Sequence, residues 1–170
     1  MQFPGSDEYN PNLKGYIDAA GEGDFLKLFD QNTNETIRFF GGIPTDKHSH
    51  SYAVGKWTPK AILQHIIDAE RVFSFRAFVG SRLDSKMELQ SFDEDEYAAN
   101  VDVTGRSMES IIEEFVALRK STRFIYEFIT EEQSAFKARG ANFPITARAL
   151  GFAMLGHLRH HIKVINERYL

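Results

Sequence analysis

Apolar residues recur along this chain at the three-and-four-residue spacing of amphipathic helices, and the gaps between runs carry helix-stop chemistry. Pro, Gly and Asn cluster in the first dozen residues, and Asn12 is placed to cap a short helix through Ala20 that Gly21-Glu22-Gly23 breaks. Asp24 caps an amphipathic run from Phe25 to about Phe40, ended by Gly41-Gly42 and Pro44. Thr45 to Lys56 is polar and reads as a loop. Thr58 followed by Pro59 places a cap before a proline at the first helical position, and the helix it opens runs to about Val79, with Gly80 as the stop. Ser81 to Gly105 has no clean periodicity and holds the acidic run Asp93-Glu94-Asp95-Glu96. Ser107 begins a helix through Ile129, a short helical turn follows from Thr130 to Lys137, and Gly140-Ala141-Asn142 breaks the pattern. Thr146 caps a last long helix to Tyr169. No repeat is visible, and no alternation is good enough for a sheet. The pattern predicts an all-α chain: a four-helix bundle with a short extra N-terminal helix, one domain over residues 1–170.

The helical wheel selects which histidines face inward. With His157 at zero, His161 falls near 40°, Leu150 near 20°, Met154 near 60° and Ile165 near 80°, at about 100° per residue. Arg148, Arg159, Lys163, Asn166 and Glu167 occupy the opposite arc, and His160 lands near 300° at the polar edge. His157 and His161 therefore share the apolar side. On the helix opened by Thr58, His65 lies in an apolar arc with Ala61, Ile62, Ala69, Val72 and Phe73. Arg76 shares that arc and Asp68 sits just outside it. A second apolar stripe, Leu63, Ile67 and Phe78, runs down the other flank, so this helix is either central or covered by a subunit partner.

Two inward histidines at i, i+4 and a third on another helix can converge on one divalent ion and leave positions open, as catalytic sites do. A packed core of hydrogen-bonded histidines fits the same placement. His48-Ser49-His50 lies in a polar loop and reads as inert. The acidic run at Asp93 to Glu96 reads as a solvated face, although a long irregular segment is sometimes a lid. Arg76 is expected to pair with a buried carboxylate such as Asp68 or Asp93, and otherwise to receive an anionic substrate.

Composition removes several rival chemistries. A net charge of −4 argues against a nucleic-acid binder. The absence of cysteine excludes disulfides, thiolate zinc sites and a cysteine nucleophile. The start, Met1-Gln2-Phe3-Pro4-Gly5, has no basic or apolar leader region and no apolar run is long enough to span a bilayer, which predicts a cytoplasmic protein without membrane attachment. There is no His-Glu-x-x-His, no Glu followed three residues later by His, no phosphate loop and no Gly-x-Ser-x-Gly elbow.

The residues resemble a known family. Gly55-Lys56-Trp57-Thr58-Pro59-Lys60, running into Leu63-Gln64-His65-Ile66-Ile67-Asp68-Ala69-Glu70-Arg71 and Phe75-Arg76-Ala77, is similar to the second-helix signature of the DinB/YfiT-like superfamily. Phe92-Asp93-Glu94-Asp95-Glu96-Tyr97 resembles the segment that follows in one branch. Gly156-His157-Leu158-Arg159-His160-His161 and Glu167-Arg168-Tyr169 resemble its last helix. The likeness runs from about Asp24 to the end of the chain.

The resemblance implies a four-helix bundle of up-down-down-up topology, a homodimer, and one divalent metal ion held by His65, His157 and His161. It implies a metal-dependent hydrolase or a transferase using low-molecular-weight thiols, acting on a small-molecule substrate that sequence leaves unnamed. The alternative is a non-catalytic, metal-stabilised dimeric stress-related protein. Many relatives carry an acidic residue directly after the first histidine of the last helix, where this chain has Leu158. Imidazole ligands suit zinc, nickel, copper or iron alike; the ion expected for such a site is zinc or nickel, with iron or manganese as alternatives. Three neutral imidazoles leave the metal its full charge, to lower the pKa of a bound water or to bind a thiolate. A neutral triad also calls for surrounding groups that fix each tautomer, with Asp68 or the acidic segment as candidates, and Arg76 as a substrate contact. No catalytic acid or base is assigned.

Overall fold

Each long helix begins where a short polar side chain can take up a free backbone N–H. Asp24 accepts from Lys27, Thr58 from Ala61, Ser107 from Ser110 and Thr146 from Ala149, the four caps expected from the sequence. The computed structural model of the chain describes residues 1–170. Its long helices are α2 (Phe25–Gly41), α3 (Pro59–Ser81), α5 (Met108–Glu127) and α7 (Ala147–Arg168). Shorter helices α1 (Lys14–Ala20), α4 (Glu94–Ala99) and α6 (Glu131–Ala135) fill the connections. No helix is long and apolar enough to cross a membrane.

Side-chain pairings fix the helix directions. On α3 and α5, Lys60 reaches the carbonyls of Thr104 and Arg106, Gln64 and Arg71 reach Glu114, and Glu70 meets Arg119, so these neighbours run parallel. Asp30 pairs with Arg123 and Thr33 with Arg119, making α2 antiparallel to α5. His65 lies beside His161 while Gly80 lies beside Ala147, making α7 antiparallel to α3. The order is up-down-down-up. Parallel neighbours cannot be joined by a tight turn. The chain must return along the length of α3, roughly 35 Å for its 23 residues. That return carries β1 (Glu88–Leu89) and α4.

The core is built in two parts. Ile17, Phe25, Phe29, Phe73 and Phe152 belong to one apolar cluster, and Phe40, Leu63, Ile67, Phe115 and Ile165 to the other. Between them lies a buried polar layer centred on Arg119 and Glu70, each 1% exposed. The Arg119 guanidinium donates to Glu70 Oε2 at 3.1 Å, to the Phe29 carbonyl at 3.1 Å and to Thr33 Oγ1 at 2.8 Å. It also covers the Phe29 ring at 3.5 Å. Asn32 donates to the Leu155 carbonyl at 3.3 Å, so the layer ties α2, α3, α5 and α7 at one height.

Two expectations are revised and one open choice is decided. Asn10, not Asn12, caps the N-terminal element: its Oδ1 accepts from the Asn12 N–H and a 3₁₀ turn over Pro11–Leu13 leads into α1. The Asn10-Pro11 pair is the same cap-then-proline pattern as Thr58-Pro59. A small parallel sheet exists, β1 against β2 (Arg139–Gly140), too short to leave an alternating pattern. Leu63 and Ile67 are fully buried within the chain, so α3 is central, and of that second stripe only Phe78 stays exposed.

Removing one member of the Arg119–Glu70 pair strands a buried charge. Arg119→Met is expected to lower unfolding free energy by about 3–5 kcal/mol, whereas Glu70→Leu/Arg119→Met recovers most of that loss. Chemical denaturation followed by circular dichroism measures both. Equal midpoints for the single variant and the wild type would refute the assignment.

Candidate metal centre

His65 projects from α3 and His157 and His161 from successive turns of α7, where the antiparallel helices face each other. His157 Nε2 lies 3.0 Å from His65 Nε2 and 2.9 Å from His161 Nε2, and the three ligand atoms all lie within 4.8 Å of one another. His65 and His157 are buried and His161 is partly exposed. The rings are held from outside. Trp57 packs on His65 with ring centroids 4.7 Å apart, and the Tyr16 ring meets His157 edge-on at 5.3 Å. Tyr16 arrives there because α1 crosses α7 at Gly156, where a Cβ would sit 1.7 Å from the Tyr16 carbonyl oxygen.

The arrangement leaves lone pairs without donors. Burial pushes all three histidine pKa values down, His161 to about 3 and His157 well below the ordinary range, with the neighbouring imidazoles adding to the effect for these two. For His65 burial dominates, opposed by Glu94, Asp68 and Asp95. At neutral pH the rings are therefore uncharged. His157 Nε2 offers either one proton or one lone pair, so it can form one good hydrogen bond and leaves the other Nε2 contact unpaired. A divalent cation at the shared point satisfies every lone pair. Nitrogens bound at about 2.0–2.1 Å stand roughly 3.0–3.4 Å apart, close to the two separations of 3.0 and 2.9 Å that His157 makes. The donor set fits a divalent metal.

The histidines form one end of an open cleft of about 470 Å³. Ala69, Phe73 and Phe92 give it an apolar stretch, and Tyr16, Glu94, Asp95 and Arg76 supply its polar groups. The Tyr16 pKa is raised, by burial first and then by Glu94, so its hydroxyl keeps its proton.

The sequence-selected residues divide. His65, His157 and His161 come together, and His160 stays exposed at the rim against Tyr16. Asp68 does not reach the site; its carboxylate accepts from Gln64 and Arg71 on the α5 side of α3. Its wheel position just outside the apolar arc already put it on that flank. Arg76 does line the cleft, but the expected pairing with Asp68 or Asp93 is absent. Arg76 donates to the Gln90 carbonyl and lies over the Phe92 ring at 5.7 Å. Asp93 instead caps α4 by accepting from Asp95 and Glu96. His48 bonds the Ile43 carbonyl in its loop. Leu158 is buried in the core and does not line the cleft.

Tyr16 was not found from sequence, and Glu94 and Asp95 only as part of an acidic segment that the sequence could not place. Helical periodicity carries no information on what a distant segment covers, and the acidic residues are indeed exposed. Gly156, directly before His157, was the one local sign of a close approach.

With no metal bound, depressed histidine pKa values link folding to pH. The folded state takes up fewer protons than the unfolded chain between the unfolded value near 6.5 and the folded values. Their contribution is complete above about pH 6.5 and is lost as pH falls toward 3. Chelated wild type should lose a few kcal/mol across that window, and His157→Ala/His161→Ala should lose distinctly less. Denaturation midpoints from pH 7 to 4 check this; parallel curves would contradict it.

Comparison with known proteins adds the family. The chain is similar to the solved structure of YfiT from Bacillus subtilis, described as "a probable metal-dependent hydrolase with an unusual four-helix bundle topology". The TM-score is 0.63 at 14% identity, over 98% of this chain and 91% of that one, a likeness of fold. No curated protein matches the chain. The family model described as the DinB superfamily matches residues 28–165, a span that includes α3, α4 and α7 with all three histidines. The chain belongs to the DinB superfamily.

Proposed function

We propose that this protein is a metal-dependent hydrolase whose ion is held by His65, His157 and His161. The observation that carries the reading is the place of the three neutral imidazoles: at the end of an open cleft that also presents carboxylates. A purely structural ion would sit in a closed shell, and nothing in the fold needs one, since the buried polar layer already binds the long helices together. The description of YfiT as "a probable metal-dependent hydrolase" supports the same reading.

A divalent ion there, zinc or nickel ahead of iron or manganese, supplies Lewis acidity and a bound water of lowered pKa. The chain's own residues do the rest. Glu94 and Asp95 are the carboxylates lining the cleft and stand ready to take a proton from an attacking water onto a carboxylate oxygen. The Tyr16 hydroxyl, kept protonated by burial, donates a hydrogen bond toward the reacting group. Trp57 and Tyr16 hold the imidazole rings. A second copy of the chain is the proposed partner: Phe75 and Phe78 on α3 and Phe124 and Phe128 on α5 are 43% to 75% exposed on these parallel neighbours.

Metal analysis of protein prepared without chelator should find about one equivalent in the wild type and a loss of most of it in His157→Ala/His161→Ala. Equal content in both would sink the site. Hydrolysis of a panel of esters, amides and phosphoesters should stop on chelation and return with added metal. Glu94→Gln/Asp95→Asn should keep the metal and lower kcat by about 10²-fold or more. Turnover that requires an added thiol would move the reading to a thiol transferase, and chelation that melts the fold without affecting any turnover would favour a structural ion. Sedimentation of Phe75→Ser/Phe128→Ser should show a monomer where the wild type is a dimer; a monomeric wild type would remove that partner.

A further inference from the structure

Two partly buried arginines of this fold, Arg76 and Arg159, have no carboxylate partner, and Arg159 is accounted for by the carbonyls of Ala19 and Ala20 at the C-terminal end of α1. Arg119 is fully buried and meets Glu70; Arg148 is largely buried and meets Glu8; Arg106 is partly buried and meets Glu114. Arg76 is half-buried on α3 and has no carboxylate partner: its guanidinium bonds the Gln90 carbonyl and faces the Phe92 ring. Burial alone pulls its pKa down, and no acidic neighbour pulls it back. With a carbonyl and a ring as its partners, the guanidinium lies on an open cleft where a counter-charge has room to enter.

Its position says where that counter-charge comes. Arg76 lies eleven residues after His65, about 20° away on the helical wheel, with Ala69 and Phe73 between them on one face of α3. It lines the metal cleft, and it also lines a smaller adjoining cavity of about 140 Å³ beside Leu13, Leu89 and Phe143. The helical rise separates the two Cα atoms by about 16 Å, and the long arginine side chain leaning toward the helix start shortens the gap between functional groups to roughly 10–15 Å. Charge along the cleft is sorted. Glu94 and Asp95 raise the His65 pKa against burial and Glu94 raises that of Tyr16, whereas Arg76 bonds a carbonyl and forms no ion pair with either carboxylate. One end is metal ligands with carboxylates, the middle is Ala69, Phe73 and Phe92, and the far end is a lone guanidinium.

We propose that Arg76 is the specificity-determining residue of this cleft, anchoring the carboxylate of an elongated substrate whose reacting bond lies roughly 10–15 Å away at the histidines. The substrate class is an acyl compound with an apolar chain and an anionic end. The carboxylates Glu94 and Asp95 repel that end from the metal, so charge fixes its direction. The orientation and the reaction rest on the hydrolase reading above; the anion site itself does not.

Octanoate and octanamide test the anion site on chelated protein, where no metal contributes. Calorimetry should show octanoate binding at least about tenfold more tightly than octanamide to the wild type, with the preference weakened by salt. Arg76→Gln, which retains a hydrogen-bond donor, should abolish the preference, and Arg76→Lys should keep part of it. A wild type with no preference, or a preference unchanged in Arg76→Gln, overturns the proposal; the wild-type measurement decides it even where a variant fails to fold. On zinc-loaded protein, a hydroxamate bearing a terminal carboxylate should bind more tightly than octanohydroxamate in the wild type and equally in Arg76→Gln. Loss of hydroxamate binding with the octanoate preference intact would overturn the metal reading and leave Arg76 standing. A carboxylate tail that weakens binding to the loaded wild type would overturn the orientation proposed here.

Discussion

The buried pair of Arg119 and Glu70 sets the register of the whole bundle. Apolar faces alone tolerate sliding, because hydrophobic burial is non-directional and one ridge of leucines and phenylalanines packs much like the next. A guanidinium with fixed donor directions does not slide. Arg119 must meet Glu70 on α3 and the Phe29 carbonyl and Thr33 on α2, and Asn32 must meet the Leu155 carbonyl on α7. Moving any one helix by a turn leaves buried donors or a buried carboxylate unsatisfied, at a cost of several kcal/mol. The histidines inherit that precision. His157 is two residues past Leu155 and His65 is five residues before Glu70, so the layer that locks the core also brings imidazoles on different helices to a 3.0 Å approach.

Topology does the second part of the work. Because α3 and α5 run parallel, the chain between them must cross the length of the bundle instead of turning at its end. The crossing is pinned by the β1–β2 ladder, where Leu89 is buried, and by Asp93 capping α4. The result is a short acidic helix laid beside the cleft rather than a tail in solvent. On the other flank, α1 crosses α7 at Gly156, and Arg159 fastens it by donating to the carbonyls of Ala19 and Ala20 at its C-terminal end. The site is thus assembled from both long helices and connections, with the three histidines on the rigid elements and Glu94 and Asp95 on the crossing segment.

Burial and charge then act in opposite senses along one groove. At the histidine end, desolvation keeps imidazoles neutral and available as ligands, while Glu94 and Asp95 supply negative charge nearby. At the other end, Arg76 is a cation whose partners are a carbonyl and an aromatic ring and not a carboxylate. The same loss of water that costs stability at each end is what gives the groove its chemical direction.

The sequence determined a great deal that depends on neighbours three or four residues away. Caps at Asp24, Thr58, Ser107 and Thr146 marked the starts of the long helices, and wheel angles placed His65, His157 and His161 inward and His160 at the rim, because helix geometry is local and regular. The inward arc of α3 likewise contained Arg76. What the wheel could not supply was the identity of the facing group. Arg76 met a backbone carbonyl and a phenylalanine instead of Asp68 or Asp93, and Asp68 turned to Arg71 and Gln64 on the other flank. Glu94 and Asp95 read as solvated because they are solvated; only the crossing of the bundle between parallel helices brings them to the cleft. A helix's own faces are written in its residues, whereas what lies opposite a face depends on directions and registers fixed by a few long-range polar contacts, and those the tertiary structure alone decided.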